Sequence, residues 1–277
     1  MNTTMHCADA ATDEPLAGTA DSVDVWLLLE YRPPWRARTI EDNDLAASVR
    51  DWIAARIAAE RAKGRKCRPQ FVRRPERDAA GVTLFVADAE STVRYEAADY
   101  DELTALDLDR GGERVTEPHF FVCTNSARDA CCGRLGLPLY GALRERVGAR
   151  AWQTTHVGGH RFAPNVLALP EGRLYGRVHA REVDAFLATI ERGALGARWL
   201  RGRSFLAPEA QAAEVFVAGA RDEPASLSPL IEVVGERRWR VSFADGRSTH
   251  VGLGPPQPSF ASCGDAQPKD VRPFQRI

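Results

Sequence analysis

The decisive stretch of the sequence is His119-Phe-Phe-Val-Cys123-Thr-Asn-Ser-Ala-Arg-Asp-Ala-Cys131-Cys132-Gly133. Its apolar beginning predicts a buried strand over 119–123 that ends at the first cysteine. A second segment, His156-Val-Gly-Gly-His160, follows further along the chain. Together the two segments supply two or three thiols and two imidazoles, which are the groups that bind a soft or borderline metal.

The spacing of the cysteines predicts how they converge. Cys123 ends a central strand, and open α/β sheets place their sites at that edge. We expect Cys132 in a loop that precedes the next helix and curls back toward Cys123. Within this loop, Arg128 and Asp129 are expected either to pair with each other or to lie beside the metal.

The two histidines are four residues apart, a spacing that would place both on one face of a helix. Gly158 and Gly159 lie between them and disfavour a helix. We therefore expect a tight loop from which both imidazoles bind from one side.

The residues alone leave two kinds of metal centre open. A single zinc ion with two cysteines and two histidines is allowed, but zinc sites usually have two cysteines only two to four residues apart. The wider gap here favours a [2Fe–2S] cluster with two thiolates on one iron and two histidines on the other.

The pattern of elements predicts an α/β fold with two similar halves. We expect strand, helix, strand and hairpin in each half, the order of a thioredoxin-like unit. Helix 44–63 is expected to be capped by Asp42 or Asn43 and to end at Gly64, and a helix over 138–147 is expected to begin near Pro138. The remaining predicted elements are strands 24–30, 70–73, 82–87, 92–96, 151–155, 166–169 and 173–178, and a helix over 181–192.

These elements predict three regions. Residues 1–112 form an α/β half without ligands, a degenerate thioredoxin-like repeat in which Glu30 or Tyr31 stands where Cys123 stands in the second half. Residues 113–196 form the thioredoxin-like domain with the metal ligands. Residues 197–277 form a small α+β appendix with a helix over 208–220, strands over 230–234, 239–243 and 248–251, and a polar tail.

Composition limits the function classes. The 277 residues are 44% hydrophobic and 27% charged, with a formal net charge of −1. This balance gives no electrostatic reason to expect a nucleic-acid or membrane partner.

The first twenty or so residues lack an apolar signal segment, so we expect a cytoplasmic protein. In that reducing compartment the six cysteines are expected to bind metal, to be redox-active or to be free, rather than to form structural disulfides. We expect Cys7 and Cys67 to be structural or incidental. Cys263 is expected to be a free thiol of the tail, with folding back toward the site as the alternative.

At these residues the sequence resembles the sucrase/ferredoxin-like family of thioredoxin-like [2Fe–2S] ferredoxins. The most specific match is His156-Val-Gly-Gly-His-Arg-Phe-Ala163. The other matching pieces are Leu16-Ala-Gly-Thr-Ala20, Trp26-Leu-Leu-Leu-Glu30, Pro34-Trp35, Phe121-Val-Cys123, Arg128-Asp129, Cys132-Gly133, Asn165-Val166, Leu169-Pro-Glu-Gly172, Tyr175-Gly-Arg-Val178, Gln211-Ala-Ala-Glu214 and Ser262-Cys-Gly264.

The resemblance implies that Cys123, Cys132, His156 and His160 are the cluster ligands. It selects Cys132 because the family places a cysteine directly before the glycine. Cys131 departs from the pattern, and we expect a buried small side chain there, with a substitute ligand or a vicinal disulfide as alternatives.

The expected function is that of a one-electron carrier or small reductase rather than a hydrolase, served by a separate flavoprotein or ferredoxin reductase. Arg161 and Arg177 are expected either to offset the charge of the cluster or to form surface ion pairs. Two other classes stay open: a metal-free thiol–disulfide oxidoreductase, which the absence of Cys-x-x-Cys disfavours, and a zinc-stabilised binding module.

Overall fold

The computed structural model describes residues 6–77 and 80–277. It shows a mixed α/β protein built around one ten-stranded sheet, with a smaller four-stranded sheet and a two-stranded ribbon. No helix in the described part of the chain is long and apolar enough to cross a membrane.

The first half follows the predicted order closely. Its predicted strands and its long helix are all present, with bounds shifted by a few residues at most. A short N-terminal helix and strand β5 were not predicted. The elements are α1 (Cys7–Ala10), β1 (Val25–Glu30), α2 (Ala47–Ala62), β2 (Cys67–Arg73), β3 (Val82–Ala87), β4 (Thr92–Ala97), α3 (Tyr100–Ala105) and β5 (Glu113–Arg114).

The second half repeats the strand–helix–strand–hairpin order and adds an edge strand, β10, that the sequence pattern did not reveal. Its elements are β6 (His119–Cys123), α4 (Ala130–Val147), β7 (Ala151–Thr154), β8 (Val166–Leu169), β9 (Arg173–Tyr175), α5 (Val183–Glu191) and β10 (Leu200–Arg203).

The C-terminal part contains the predicted helix and three-stranded meander. Its tail also forms three short strands that were not predicted. The elements are α6 (Pro208–Ala218), β11 (Leu230–Gly235), β12 (Arg238–Ser242), β13 (Ser248–Leu253), β14 (Gln257–Ser259), β15 (Lys269–Val271) and β16 (Phe274–Arg276).

The two halves share one strand arrangement within the large sheet. The full order is β10-β9-β8-β6-β7-β2-β1-β3-β4-β5. In each half the first strand is parallel to the second and antiparallel to the third, and the third is antiparallel to the fourth. Strands β2 and β7 meet in antiparallel register, with Val72 opposite Thr154, and join the halves edge to edge. The three predicted regions stay predictions, but a continuous sheet connects the first two.

Helix α4 begins eight residues before the predicted position, at Ala130 rather than Pro138. The side chain of Asp129 caps it by accepting a hydrogen bond from the backbone N–H of Cys131. Because this cap satisfies a free donor of the first turn, the helix starts there. The expected loop position of Cys132 is therefore wrong: Cys131 and Cys132 lie in the first helical turn.

The predicted cap of helix α2 is also wrong. The residue that precedes the helix is Ala46, which makes no side-chain cap. The side chain of Asn43 instead accepts a hydrogen bond from the N–H of Leu45 at 3.1 Å and so forms a turn before the helix. The predicted end is confirmed, because Gly64 follows the last turn with φ +75°.

Candidate metal centre

Close packing between a helix and a strand brings the two predicted cysteine ligands together. Gly136 of α4 lies against the end of β6, where an added Cβ would come within 2.1 Å of the carbonyl oxygen of Cys123. Only glycine permits this approach, which holds the first turn of α4 over the C-terminal end of the strand. Both cysteines are buried in one apolar cluster with Phe121 and Trp152.

The histidine segment forms the predicted loop between β7 and β8. Gly158 and Gly159 have φ +92° and +68°, values that a helix does not contain. The loop stacks the rings of His156 and His160 at 3.8 Å between centroids, with 9° between their planes. The prediction of a glycine-dependent loop rather than a helical face is therefore confirmed.

The structure brings all four predicted ligands to one place. The Sγ of Cys132 lies 3.8 Å from Nδ1 of His156 and 3.7 Å from Nδ1 of His160. The Sγ of Cys123 lies 3.9 Å from Nδ1 of His156. Two thiols and two imidazoles that converge in a mostly buried position can hold a thiophilic metal.

The protonation of these groups suits metal binding. Hydrogen bonding from Cys132 lowers the pKa of the Cys123 thiol well below its usual value, while the same contact raises the pKa of Cys132. The Cys123–Cys132 pair therefore loses its first proton readily, and the thiolate forms at Cys123. Burial, followed by the neighbouring His156, lowers the pKa of His160 to about 4. A neutral imidazole and a thiolate are the forms that bind a metal.

A buried arginine that the sequence patterns did not single out holds the histidine loop. Arg201, on strand β10, is 1% exposed. Its guanidinium donates to the carbonyl of Gly158 at 2.9 Å and to the side-chain oxygen of Asn165 at 3.0 Å. It also donates to the carbonyl of Thr19 at 2.6 Å. Burial lowers the pKa of Arg201 to about 9, so it remains a cation near neutral pH.

The same arginine explains why Gly159 is glycine. An added Cβ there would lie 2.4 Å from the guanidinium of Arg201, in a backbone conformation that side chains rarely adopt. A second arginine, Arg68 on β2, donates to the carbonyl of His156 at 3.0 Å. Both halves of the sheet therefore contribute to the position of the histidine loop.

Of the predicted neighbours of the metal, Asp129 lies beside the predicted centre and the two arginines do not act there alone. Oδ2 of Asp129 is 3.9 Å from Nδ1 of His160. Asp129 also caps α4 and accepts hydrogen bonds from the tail, and no ion pair between it and Arg128 is found within residues 6–77 and 80–277. Arg161 forms an ion pair with Glu14 at 2.7 Å, and Arg177 donates to the carbonyl of that residue at 2.8 Å. These two arginines thus anchor the N-terminal segment rather than simply forming surface ion pairs.

Three cysteines that were not predicted to act together form a second group. Cys7, Cys131 and Cys263 bring their sulfurs to within 3.4–3.7 Å of one another. Cys131 is buried, as expected, but its neighbours are thiols. Cys263 is a free thiol, as expected, but the tail folds back onto α4 and places it beside Cys7 and Cys131. Cys7 is buried in this group, which fits the structural alternative of its prediction rather than the incidental one. The remaining cysteine, Cys67, lies outside both groups.

One side of the predicted centre faces a cavity of about 540 Å³. His156 lines it together with three arginines, Arg38, Arg68 and Arg128. His156 is partly exposed, whereas His160, Cys123 and Cys132 are buried. The cavity therefore connects the predicted centre to solvent through the ring of His156.

Comparison with known proteins identifies the family. The chain belongs to the sucrase/ferredoxin-like family, whose model matches residues 16–202. The matched range contains strands β1 to β9, the four predicted ligands and strand β10 up to Gly202. The family indicated by the sequence motifs is thus confirmed over this range.

One curated protein is similar to a shorter part of the chain. The chain is 32% identical over 93 residues to altered inheritance of mitochondria protein 32 of Meyerozyma guilliermondii. The match covers 29% of this chain and 33% of the relative, so the chain spans about one third of that protein's length. No solved structure matches the chain significantly.

Proposed function

We propose that this protein is an electron-transfer protein that carries a [2Fe–2S] cluster bound by Cys123, Cys132, His156 and His160. The observation that supports this most strongly is the convergence of two thiols and two imidazoles, at sulfur–nitrogen distances of 3.7–3.9 Å, in a member of the sucrase/ferredoxin-like family. When bound, such a cluster supplies one-electron transfer at a potential above that of all-cysteine clusters.

The proposal of two metal ions rather than one rests on the family and on the wide spacing of the cysteines along the chain, because zinc sites usually have two cysteines only two to four residues apart. Among the described residues, the donors form two overlapping groups, Cys123–Cys132–His156 and Asp129–Cys132–His160, each within 4.8 Å. These separations are also those around one tetrahedral ion, so the iron count of the purified protein distinguishes a binuclear centre from a single zinc ion.

The repeated strand order supports a thioredoxin-like scaffold in each half. In both halves, two parallel strands linked by a helix are followed by an antiparallel hairpin in one sheet. We assign the cluster to the second half, because Glu30 and Tyr31 stand at the equivalent strand end in the first. The buried carboxylate of Glu30 instead pairs with Arg32 at 3.0 Å and is not available as a ligand.

The histidines would also give the site a route for protons. Both imidazoles direct Nδ1 toward the sulfurs, which leaves Nε2 on the outer side of each ring. The ring of His156 borders the cavity. The Nε2–H of His156 is therefore the one that borders solvent, and an imidazole ligand of this kind would couple electron uptake to proton uptake.

The electron donor or acceptor would be a separate protein. The sequence contains no Gly-x-Gly-x-x-Gly fingerprint for a nicotinamide or flavin dinucleotide. A flavoprotein or ferredoxin reductase fits this need, and the arginines around the cavity would favour an acidic surface on that partner.

We test this function by measuring the midpoint potential of the assembled protein as a function of pH. The potential should fall as the pH rises, by up to about 59 mV per unit, because reduction is accompanied by proton uptake at His156. His156→Cys should keep the cluster, lower its potential and flatten this slope.

His119→Cys serves as the control, since this histidine lies at the other end of β6. It should leave both the potential and the slope unchanged. A wild-type potential that stays flat between about pH 6 and pH 10 would contradict proton transfer at His156.

A further inference from the structure

We propose that Cys7, Cys131, Cys263 and His6 form a second metal site, which binds one zinc ion and fastens both ends of the chain to helix α4. This inference does not depend on the proposed cluster, because the two sites share no ligand. The three cysteines come from the N-terminal helix α1, the first turn of α4 and the C-terminal tail, and up to 256 positions in the sequence separate them.

The distances between the sulfurs match those around one tetrahedral ion. Cys7 and Cys131 are 3.7 Å apart, Cys7 and Cys263 are 3.6 Å apart, and Cys131 and Cys263 are 3.4 Å apart. A tetrahedral zinc ion with bonds of about 2.3 Å holds its sulfurs about 3.8 Å apart. The three sulfurs thus form one face of a tetrahedron that a single ion can complete.

His6 supplies the fourth ligand better than Asp129 does. The Nδ1 of His6 lies 3.7 Å from the sulfur of Cys263. Asp129 is closer to the group as a whole: a carboxylate oxygen lies within 4.8 Å of all three sulfurs, and Oδ1 lies 3.8 Å from the sulfur of Cys7. However, Oδ1 of Asp129 already accepts from the N–H of Cys131 at 2.9 Å, and Oδ2 accepts from the N–H of Cys263 at 2.9 Å.

Asp129 therefore orients the ligands instead of binding the ion. Its two carboxylate oxygens fix the backbone of Cys131 and of Cys263, and Oδ2 also accepts from the hydroxyl of Ser262 at 3.0 Å. Carboxylates that position metal ligands in this way are typical of the outer shell of a metal site. Three cysteines and one histidine are, in turn, a known ligand set of structural zinc sites.

The surroundings favour a structural ion. Cys7 and Cys131 are buried, and the group packs against Ala8 and Ala163, with Phe260 of the tail beside it. Four protein ligands leave no open position for a substrate. Because Cys131 adjoins Cys132, the ion would also hold the first turn of α4 beside the predicted cluster.

The test measures zinc and iron together. The full chain is purified anaerobically under reducing conditions, and both metals are counted in the wild type, Cys263→Ser and Cys131→Ser. We expect about one zinc per chain in the wild type and none in either variant, with the iron content and visible spectrum of Cys263→Ser unchanged. His6→Ala should weaken zinc binding at least about tenfold.

The matched control is Cys67→Ser, which removes a partly buried cysteine outside the group and should keep the zinc. Co²⁺ titrated into zinc-free wild type should give the intense absorption of a tetrahedral thiolate site, even if a variant folds poorly. A wild type that holds no zinc and gives no such absorption would overturn the proposal, as would a zinc content that does not fall in Cys263→Ser relative to the wild type. Loss of iron in place of zinc from Cys263→Ser would overturn the assignment to zinc. If zinc instead of iron occupied Cys123, Cys132, His156 and His160, the wild type would hold about two zinc ions and Cys263→Ser about one, which distinguishes failure of the cluster proposal from failure of this one.

Discussion

Replacing Cys132 with alanine should abolish iron binding while the chain keeps its second metal. Cys132 has the central position in the predicted centre, because its sulfur lies within 3.8 Å of both His156 and His160. Without this thiolate, the iron proposed to be bound by Cys123 and Cys132 loses one of its two protein ligands. We expect the iron content and the visible absorbance to fall to background.

Two variants control this experiment. Cys67→Ala removes a cysteine from the first half and should keep the wild-type iron content. Zinc in Cys132→Ala should remain at the wild-type level, which shows that the chain still folds around the Cys7–Cys131–Cys263 group. Iron retained in Cys132→Ala at the wild-type level would rule out this cysteine as a ligand.

Replacing Glu214 with alanine should destabilise the protein by about 3–5 kcal/mol. Glu214, on α6, is fully buried and pairs with Arg203, which is 5% exposed. One carboxylate oxygen accepts from Nε of Arg203 at 2.9 Å, and the other accepts from the N–H of Ala225 at 2.9 Å. Removal of the carboxylate leaves a guanidinium charge buried without a partner, which is the source of the cost.

The Glu214→Ala variant should also weaken the support of the histidine loop in the predicted metal centre. Arg203 and Arg201 lie on the same strand, β10, and Arg201 holds the histidine loop through Gly158. Chemical denaturation at matched metal content measures the change in the free energy of unfolding. Iron retention in the same samples shows whether β10 still supports the loop.

A double variant distinguishes the cost of the unpaired buried charge from the cost of the lost side-chain volume. Glu214→Leu combined with Arg203→Met removes both charges and should recover most of the lost stability. Glu182→Ala breaks the exposed pair with Arg198 and should cost less than about 1 kcal/mol. If the double variant is as unstable as Glu214→Ala, an unpaired buried charge is not the cause.

Local signals in the sequence predicted much of the second half. The apolar run before Cys123 predicted strand β6 with its observed bounds, and the glycine pair predicted the histidine loop. Each of these features depends on a few neighbouring residues, so the sequence is sufficient to identify them.

The start of α4 was missed because two local signals both indicated a later start. Pro138 is typical of a first helical turn, and the glycines before it disfavour a helix. Asp129 was the correct cap, and tertiary packing explains the glycines: an added Cβ at Gly133 would lie 2.4 Å from the side chain of Ser126. These glycines allow the helix to approach the loop and strand that precede it.

The second cysteine group could not be predicted from spacing. Its members come from both ends of the chain and from α4, and only the tertiary fold brings them together. The presence of Cys131 beside the expected ligand was the one local signal, since a third thiol at this position needs a partner or a burial site. The role of Arg201 likewise depends on contacts with distant segments.

The most direct test of the central claim is the iron content and visible spectrum of the wild-type protein purified without oxygen. The proposed site predicts a red-brown protein with about two irons per chain. A colourless protein with zinc bound at Cys123, Cys132, His156 and His160, or with no metal there, would contradict it.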